Sequence, residues 1–99
     1  MSASVPSALS DIEIQRALGP LPGWSRKGDA ICKSYHFATF PAGIAFIARV
    51  AEVAERLQHH PDIDIRYTRV LFQLSTHDAG GITQKDFELA SQIEALAAA

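Results

Sequence analysis

The sequence predicts an α+β fold, an antiparallel sheet of three to four strands with helices packed on one face, in the order α-β-β-α-β-α. Two short β-type segments flank the turn pair Gly28-Asp29, which is typical of a hairpin. Between Phe40 and Gln58 the apolar residues recur every three or four positions, which is typical of an amphipathic helix. The connections are short, so consecutive elements should pack as neighbours and the strands should run antiparallel.

The composition excludes several classes of protein. A chain of 99 residues with 47% hydrophobic and 20% charged residues is typical of one soluble globular domain. The net charge of −2, with no basic run, argues against nucleic acid or an anionic membrane as the main partner. The single cysteine, Cys32, excludes an internal disulfide, and the N-terminal residues lack the pattern of a signal peptide. We therefore expect a cytoplasmic protein.

The first half of the chain contains a short helix and the hairpin. Residues 1–9 are small and polar, and we expect them to be disordered or variable ahead of a single domain over 10–99. Ser10 and Glu13 have the spacing of a capping box, which predicts a helix start, and Gly19-Pro20 predicts its end. The hairpin strands are predicted at 24–27 and 30–37.

The second half is predicted to contain a long helix, one long strand and a C-terminal helix. The long helix should end between 58 and 60, because Pro61 disfavours helical geometry in the residue before it. The β-rich run over 64–76 predicts a single strand, bent or bulged where the apolar parity shifts between Tyr67 and Val70. Thr83 and Asp86 have capping spacing and predict the start of the last helix.

Three of the four histidines and one carboxylate could share a rim of this fold. Glu55 and His59 are four residues apart on the predicted helix, and His60 is rotated about 100° further round. His77 reaches the same rim if the long strand runs back alongside the helix. Such a set suits general acid–base catalysis. Spacing alone leaves two alternatives open: a zinc site, and a structural role for the histidines as helix-end cations and a loop residue.

The residues around these histidines resemble the pterin-4a-carbinolamine dehydratase family. The resemblance covers about 10–97 and rests on two polar clusters about eighteen residues apart, with the apolar pattern between them. The matching positions are Glu55, His59, His60, Pro61, Tyr67, Val70, Leu74, Ser75, Thr76, His77, Gly81, Thr83, Asp86 and Ala90, with Trp24, Phe46 and Arg49 further upstream.

The resemblance implies which residues form the site and what each one does. It implies that His59, His60 and His77 are catalytic, that Glu55 binds the substrate, and that no metal or cofactor is needed. Further substrate-binding positions are Asp86, Trp24, Pro61 and Thr76. For Asp86 a capping role at Thr83 is an equal alternative, and for Trp24 so is a place in the core.

The resemblance also implies the reaction, which is dehydration of 4a-hydroxytetrahydropterin to quinonoid dihydropterin. This step recycles the pterin cofactor of aromatic amino acid hydroxylases, so a functional link to such a hydroxylase and a homodimer or homotetramer are expected. The alternatives are a non-catalytic binding module, such as a transcriptional coactivator or dimerisation cofactor, and a relative acting in molybdopterin metabolism.

Overall fold

A computed structural model describes residues 7–99, so residues 1–6 of the predicted variable segment lie outside the described part. Leu9, also in that segment, is half-buried against the core, and its N–H donates to the carbonyl of Ile82 at 2.8 Å. The elements are α1 (Asp11–Leu18), β1 (Ser25–Lys27), β2 (Ala30–His36), α2 (Phe40–Leu57), β3 (Asp62–Arg66), β4 (Arg69–Leu74), a 3₁₀ turn (His77–Ala79) and α3 (Gln84–Ala98).

The four strands form one antiparallel sheet in the order β1-β2-β4-β3, with the helices on one face. Alternate residues of β4 show this: Val70, Phe72 and Leu74 are fully buried, whereas Leu71 and Gln73 between them are half-exposed. The α+β fold class with helices on one face is thereby confirmed. Among the described residues, no helix is long and apolar enough to cross a membrane.

The elements in the first half of the chain form as the helix cap and the turn residues predict. At the start of α1, the Ser10 hydroxyl accepts from the Glu13 N–H, and the Glu13 carboxylate accepts from the Ser10 N–H. The hairpin turns at Gly28, whose φ of +61° is the left-handed geometry that favours glycine. α1 ends at Leu18, and Gly19 after it keeps right-handed helical geometry.

The prediction of one long strand over 64–76 is wrong. The segment forms two strands, β3 and β4, joined by a two-residue turn at Tyr67 and Thr68, so the element order is α-β-β-α-β-β-α. The alternation of apolar residues shifts by one position between Tyr67 and Val70 because the chain turns there, and not because the strand has a bulge. The turn lacks Gly, Asn and Asp, the usual signals of a two-residue loop, and Tyr67 itself adopts a φ of +52°.

The end of α2 is fixed by a left-handed residue, Gln58, with a φ of +54°. The Gln58 N–H donates to the Glu55 carbonyl at 3.2 Å and the His59 N–H donates to the Ala54 carbonyl at 3.0 Å. This pair of bonds is the Schellman arrangement that satisfies the last carbonyls of a helix. The helix therefore ends at Leu57, and the two histidines after it are no longer on the helix.

A polar cluster fastens α3 to the β1–β2 hairpin. One carboxylate oxygen of Glu94 accepts from the Trp24 indole N–H at 3.1 Å, from the Lys33 ammonium and from the Tyr35 hydroxyl. This contact explains why Lys33, the one charged residue on the apolar face of β2, is tolerated there. Beside the core, its ammonium donates to the carboxylate of Glu94 and to the carbonyl of Pro22.

Candidate active site

Three segments at the ends of secondary-structure elements meet at one edge of the molecule. They are the C-terminal end of α2, the segment that leaves β4, and the N-terminal end of α3. The β3–β4 hairpin causes this meeting, because β3 carries the chain away from the end of α2 and β4 returns it. A bridge between Thr76 and Gly81 then closes the loop that holds His77, and the Gly81 carbonyl accepts from the Thr76 N–H at 2.9 Å.

His59 is held by a buried carboxylate. Its Nε2 lies 2.6 Å from Oδ1 of Asp86, and the two side chains are 11% and 0% exposed. An ionised carboxylate can only accept, so Nε2–H of His59 is the donor, and in the neutral ring Nδ1 is left as the acceptor. Asp86 therefore sets both the orientation and the tautomer of His59.

Asp86 is in turn held by two threonines. Its Oδ2 accepts from the Thr76 hydroxyl and from the Thr83 N–H, both at 2.9 Å. Because the Thr76 hydroxyl donates to Asp86, the 2.7 Å contact between the two threonine hydroxyls has Thr83 as donor. Asp86 is thus both the N3 residue of a capping box and the fixed partner of a histidine.

His60 is paired with Glu55, at 2.8 Å between Nε2 and Oε1. Sequence spacing predicts Glu55 and His59 as neighbours on one helix face, and this prediction is wrong. The left-handed Gln58 redirects the chain after Leu57, so that His60 turns back over the last turn of the helix. Both members of the pair are mostly exposed, so the contact is weak and free to rearrange.

His77 is exposed at the start of the 3₁₀ turn and faces the same cavity as the other two histidines. This cavity has a volume of about 270 Å³. It is lined by Gln58, His59, His60, Ser75, Thr76, His77, Asp78 and Lys85. The structure therefore brings the three predicted catalytic histidines together around one opening.

The other predicted binding positions are distributed differently. Thr76 lines the cavity, but its hydroxyl is used by Asp86. Asp86 lies behind His59 and is fully buried, and Pro61 is half-buried outside the lining. Trp24 is buried and bonded to Glu94, which lies eight residues, or about 12 Å, further along α3 than Asp86. This placement favours the core role for Trp24.

Sequence reasoning gave no site role to four lining residues, Gln58, Ser75, Asp78 and Lys85. Gln58 and Asp78 adjoin histidines in the chain and Ser75 is two residues from His77, and that proximity was an available signal. Lys85 could be assigned to the site only from the tertiary structure, which places the N-terminus of α3 at the same edge. Among residues 7–99 no group of three or more histidine, cysteine or acidic side chains is arranged to hold a metal ion.

Comparison with known proteins identifies relatives over nearly the whole chain. The family model described as pterin 4 alpha carbinolamine dehydratase matches residues 7–96. A protein of Roseiflexus sp. (strain RS-1) is 56% identical over 86 residues, which is 87% of this chain and 92% of the relative. A protein of Nocardia farcinica is 56% identical over 89 residues, which is 90% of this chain and 94% of the relative. Both carry the provisional name pterin-4-alpha-carbinolamine dehydratase.

Two solved structures share the fold. The crystal structure of a transcriptional coactivator/pterin dehydratase from Brucella melitensis matches with a TM-score of 0.88 and 35% identity. The match covers 92% of this chain and 99% of that one. A pterin dehydratase-like protein described as a RuBisCO assembly factor in the alpha-carboxysome matches with a TM-score of 0.61 and 24% identity, over 75% of this chain and 86% of that one. The second match shows a shared fold alone.

Proposed function

The chain belongs to the pterin-4-alpha-carbinolamine dehydratase family, and we propose that it dehydrates 4a-hydroxytetrahydropterin to quinonoid dihydropterin by histidine acid–base catalysis. The observation that carries the proposal is the convergence of three histidines on one cavity, two of them hydrogen-bonded to carboxylates. Imidazole is the side chain best suited to both giving and taking a proton near neutral pH.

The reaction needs two proton transfers and no outside reagent. An acid protonates the hydroxyl on C4a, and the C–O bond breaks with its electrons on the departing water. A base takes the proton from N5, and the electrons of the N5–H bond form the C4a=N5 double bond. One proton is delivered and one is removed, so the catalyst returns to its starting charge. A pair of well-placed imidazoles suffices, and each general acid or base typically contributes about 10² to 10⁴ in rate.

The contacts of the three rings support different roles. His59 is nearly buried and has one nitrogen committed to Asp86, which suits a ring that orients the substrate. His60 and His77 are exposed and line the opening, which leaves both rings accessible to a substrate bound there. We assign the acid–base pair to His60 and His77, with His59 in support. An unchanged rate in a His77→Ala protein would remove that residue from the pair.

Glu55 is the carboxylate we assign to the substrate. The amino-pyrimidinone edge of a pterin presents N–H donors, and a carboxylate is an acceptor with two oxygens. In the free protein Glu55 accepts from His60 at the exposed end of α2. Substrate binding would exchange this partner for the pterin edge and release His60 toward the reacting hydroxyl.

The wider role follows from the origin of the substrate. The 4a-hydroxy compound is produced when an aromatic amino acid hydroxylase uses its pterin cofactor, so the proposal includes recycling of that cofactor and a functional link to a hydroxylase. We further propose a homodimer or homotetramer. In the described chain Phe40 and Ile44 of α2 are 45% and 41% exposed, and β3 is an edge strand that presents Ile63 and Ile65. Exposed apolar side chains beside an unpaired strand edge favour association.

The test is the decay of 4a-hydroxytetrahydropterin, generated in situ by a phenylalanine hydroxylase and followed by absorbance. The wild-type protein should accelerate the decay, and a His59→Ala, His60→Ala, His77→Ala triple variant with a native circular dichroism spectrum should not. His36→Ala is the matched control, because His36 lies on β2 outside the cavity lining.

A second candidate function is binding without catalysis. The Brucella relative, at 35% identity, is described as a transcriptional coactivator as well as a pterin dehydratase. A protein that only binds a partner should retain that partner in the triple histidine variant. If the wild-type protein fails to accelerate the decay, the dehydratase proposal is wrong and partner capture becomes the next experiment.

A further inference from the structure

Lys85 is the second residue of α3 and lines the histidine cavity. Its backbone is fixed by the cap of that helix, since the Lys85 N–H donates to the Thr83 hydroxyl oxygen at 3.2 Å. The side chain therefore leaves a rigid position at the rim.

Among the described residues Lys85 has no ion-pair partner, whereas the two carboxylates that contact histidines of the site are paired. Glu55 is paired with His60 and Asp86 with His59. Within residues 7–99 the Lys85 ammonium lies in ion-pair distance of no carboxylate. Of the described residues that line the cavity, it is also the one lysine or arginine. An ammonium left free at a binding rim is available to a ligand.

Lys85 also borders a second, open surface, which we call the α3 shelf. The shelf is lined by Gln84, Lys85, Phe87, Glu88 and Ser91. The cavity itself, at about 270 Å³, is at the small end of ligand pockets, which begin at roughly 300 Å³. A substituted ring bound in so small a cavity would leave its substituent at the rim. Lys85 stands where the cavity and the shelf adjoin.

We propose that Lys85 selects pterins whose C6 substituent carries an anionic group, a phosphate or a carboxylate, and holds that group at the border of the α3 shelf. This inference rests on the proposed function for the identity of the ring. An ammonium has three donors and no acceptor, so a neutral hydroxyl offers it a hydrogen bond alone, whereas an anion adds the attraction of opposite charges.

The surroundings limit the effect to direct contact. Asp78 on the cavity side and Glu88 on the shelf are acidic, so the region has no broad positive field to attract anions from a distance. We expect an anionic substituent to improve binding about 5-fold over a neutral hydroxyalkyl substituent, as befits an exposed charged contact. The preference should decline as salt is raised, because the pair is open to screening.

The experiment compares three 7,8-dihydropterins that differ only in the C6 substituent: a neutral hydroxyalkyl group, its phosphate ester and a carboxylate. Their dissociation constants, measured by isothermal titration calorimetry, need no turnover. Wild-type protein should prefer one or both anionic ligands, and the comparison between them identifies the anion. Lys85→Gln should reduce the ratio of dissociation constants to about 1, whereas Lys85→Arg should retain it. Lys27→Gln on β1, which removes a lysine away from the cavity, should keep the wild-type ratio.

The outcomes separate this inference from the proposed function. Equal binding of neutral and anionic ligands by the wild-type protein overturns the role of Lys85, and so does a preference that survives Lys85→Gln. An anionic preference that depends on Lys85 in a protein that dehydrates no pterin keeps the inference and overturns the dehydratase proposal. Absence of binding for all three ligands overturns this inference, whereas the dehydratase proposal is decided by the decay of 4a-hydroxytetrahydropterin.

Discussion

His59 and Asp86 are 27 residues apart in the chain, yet Nε2 of the imidazole lies 2.6 Å from a fully buried carboxylate oxygen. The histidine lies just after the end of α2, and the aspartate lies in the first turn of α3. The same carboxylate caps α3, so one group joins helix stability to the orientation of a ring in the candidate site.

The first prediction concerns that pair. Asp86→Asn replaces an obligate acceptor by an amide, and an amide N–H facing Nε2 would move the ring proton to Nδ1. We expect the dehydration rate to fall by at least about 10-fold, because the change gives His59 the wrong tautomer. Turnover at saturating substrate measures the effect. Asp64→Asn, the same change on exposed β3, should leave the rate within error of the wild type.

The second prediction concerns the carboxylate of Glu94. Burial alone would raise the pKa of Glu94, but hydrogen bonds from Lys33 and Tyr35, with the Lys33 charge, lower it below its usual range. Burial, followed by the hydrogen bond and the charge of Glu94, raises the pKa of Tyr35, so this phenol stays a donor. Glu94→Gln should reduce the free energy of unfolding by about 1–3 kcal/mol at neutral pH.

The pH dependence of this effect has a definite sign. A carboxylate with a depressed folded-state pKa stabilises the fold above its unfolded pKa of about 4.3, and this stabilisation is lost as the pH falls. The difference in stability between wild type and Glu94→Gln should therefore shrink below about pH 4. Urea unfolding at several pH values measures it, with Glu88→Gln on the exposed face of α3 as control. A difference that stays constant down to pH 3 would contradict the assignment.

The third prediction concerns the turn between β3 and β4. Tyr67 is 76% exposed and holds a φ of +52°, a geometry unfavourable for a bulky residue. Tyr67→Asn should raise the free energy of unfolding by about 0.5 kcal/mol, because asparagine tolerates this geometry better. Tyr67→Phe, which keeps the strain, should change little.

The same variants should retain full activity. β4 has six residues, so the turn lies about 20 Å from the end of the strand that leads to the histidines. Thermal melting and the dehydration assay on the same preparations check both statements. A loss of activity in Tyr67→Asn would give this exposed tyrosine a role in the site that the fold alone does not provide.

The fourth prediction concerns association. If copies of the chain meet along β3, Ile63→Lys and Ile65→Lys should shift the protein to the monomer in light scattering, because lysine on an edge strand opposes strand pairing. Ile12→Lys, on α1, should keep the wild-type mass, although Ile12 is the more exposed side chain. A monomeric wild-type protein would contradict the proposed oligomer directly.

The sequence predicted best where structure depends on near neighbours. The caps at Ser10 and Thr83 and the turn at Gly28 each need residues within three positions of one another, and all formed as predicted. The β3–β4 turn was missed because Tyr67 and Thr68 carry no turn signal. In that segment the hydrogen-bonded register between the two strands outweighed local preference.

By itself the sequence determined the fold class, the membership of a family and the identity of the groups that could act on a proton. Those properties follow from apolar periodicity, helix capping and a sequence motif, all of which are visible in the linear sequence. Only the tertiary structure decided the partners: His60 rather than His59 beside Glu55, and Asp86 buried behind His59. The physical reason is that one left-handed residue, Gln58, redirects the chain after α2, and one hairpin returns His77 to the same edge. A single strand of the predicted length would have carried His77 about 40 Å from His60.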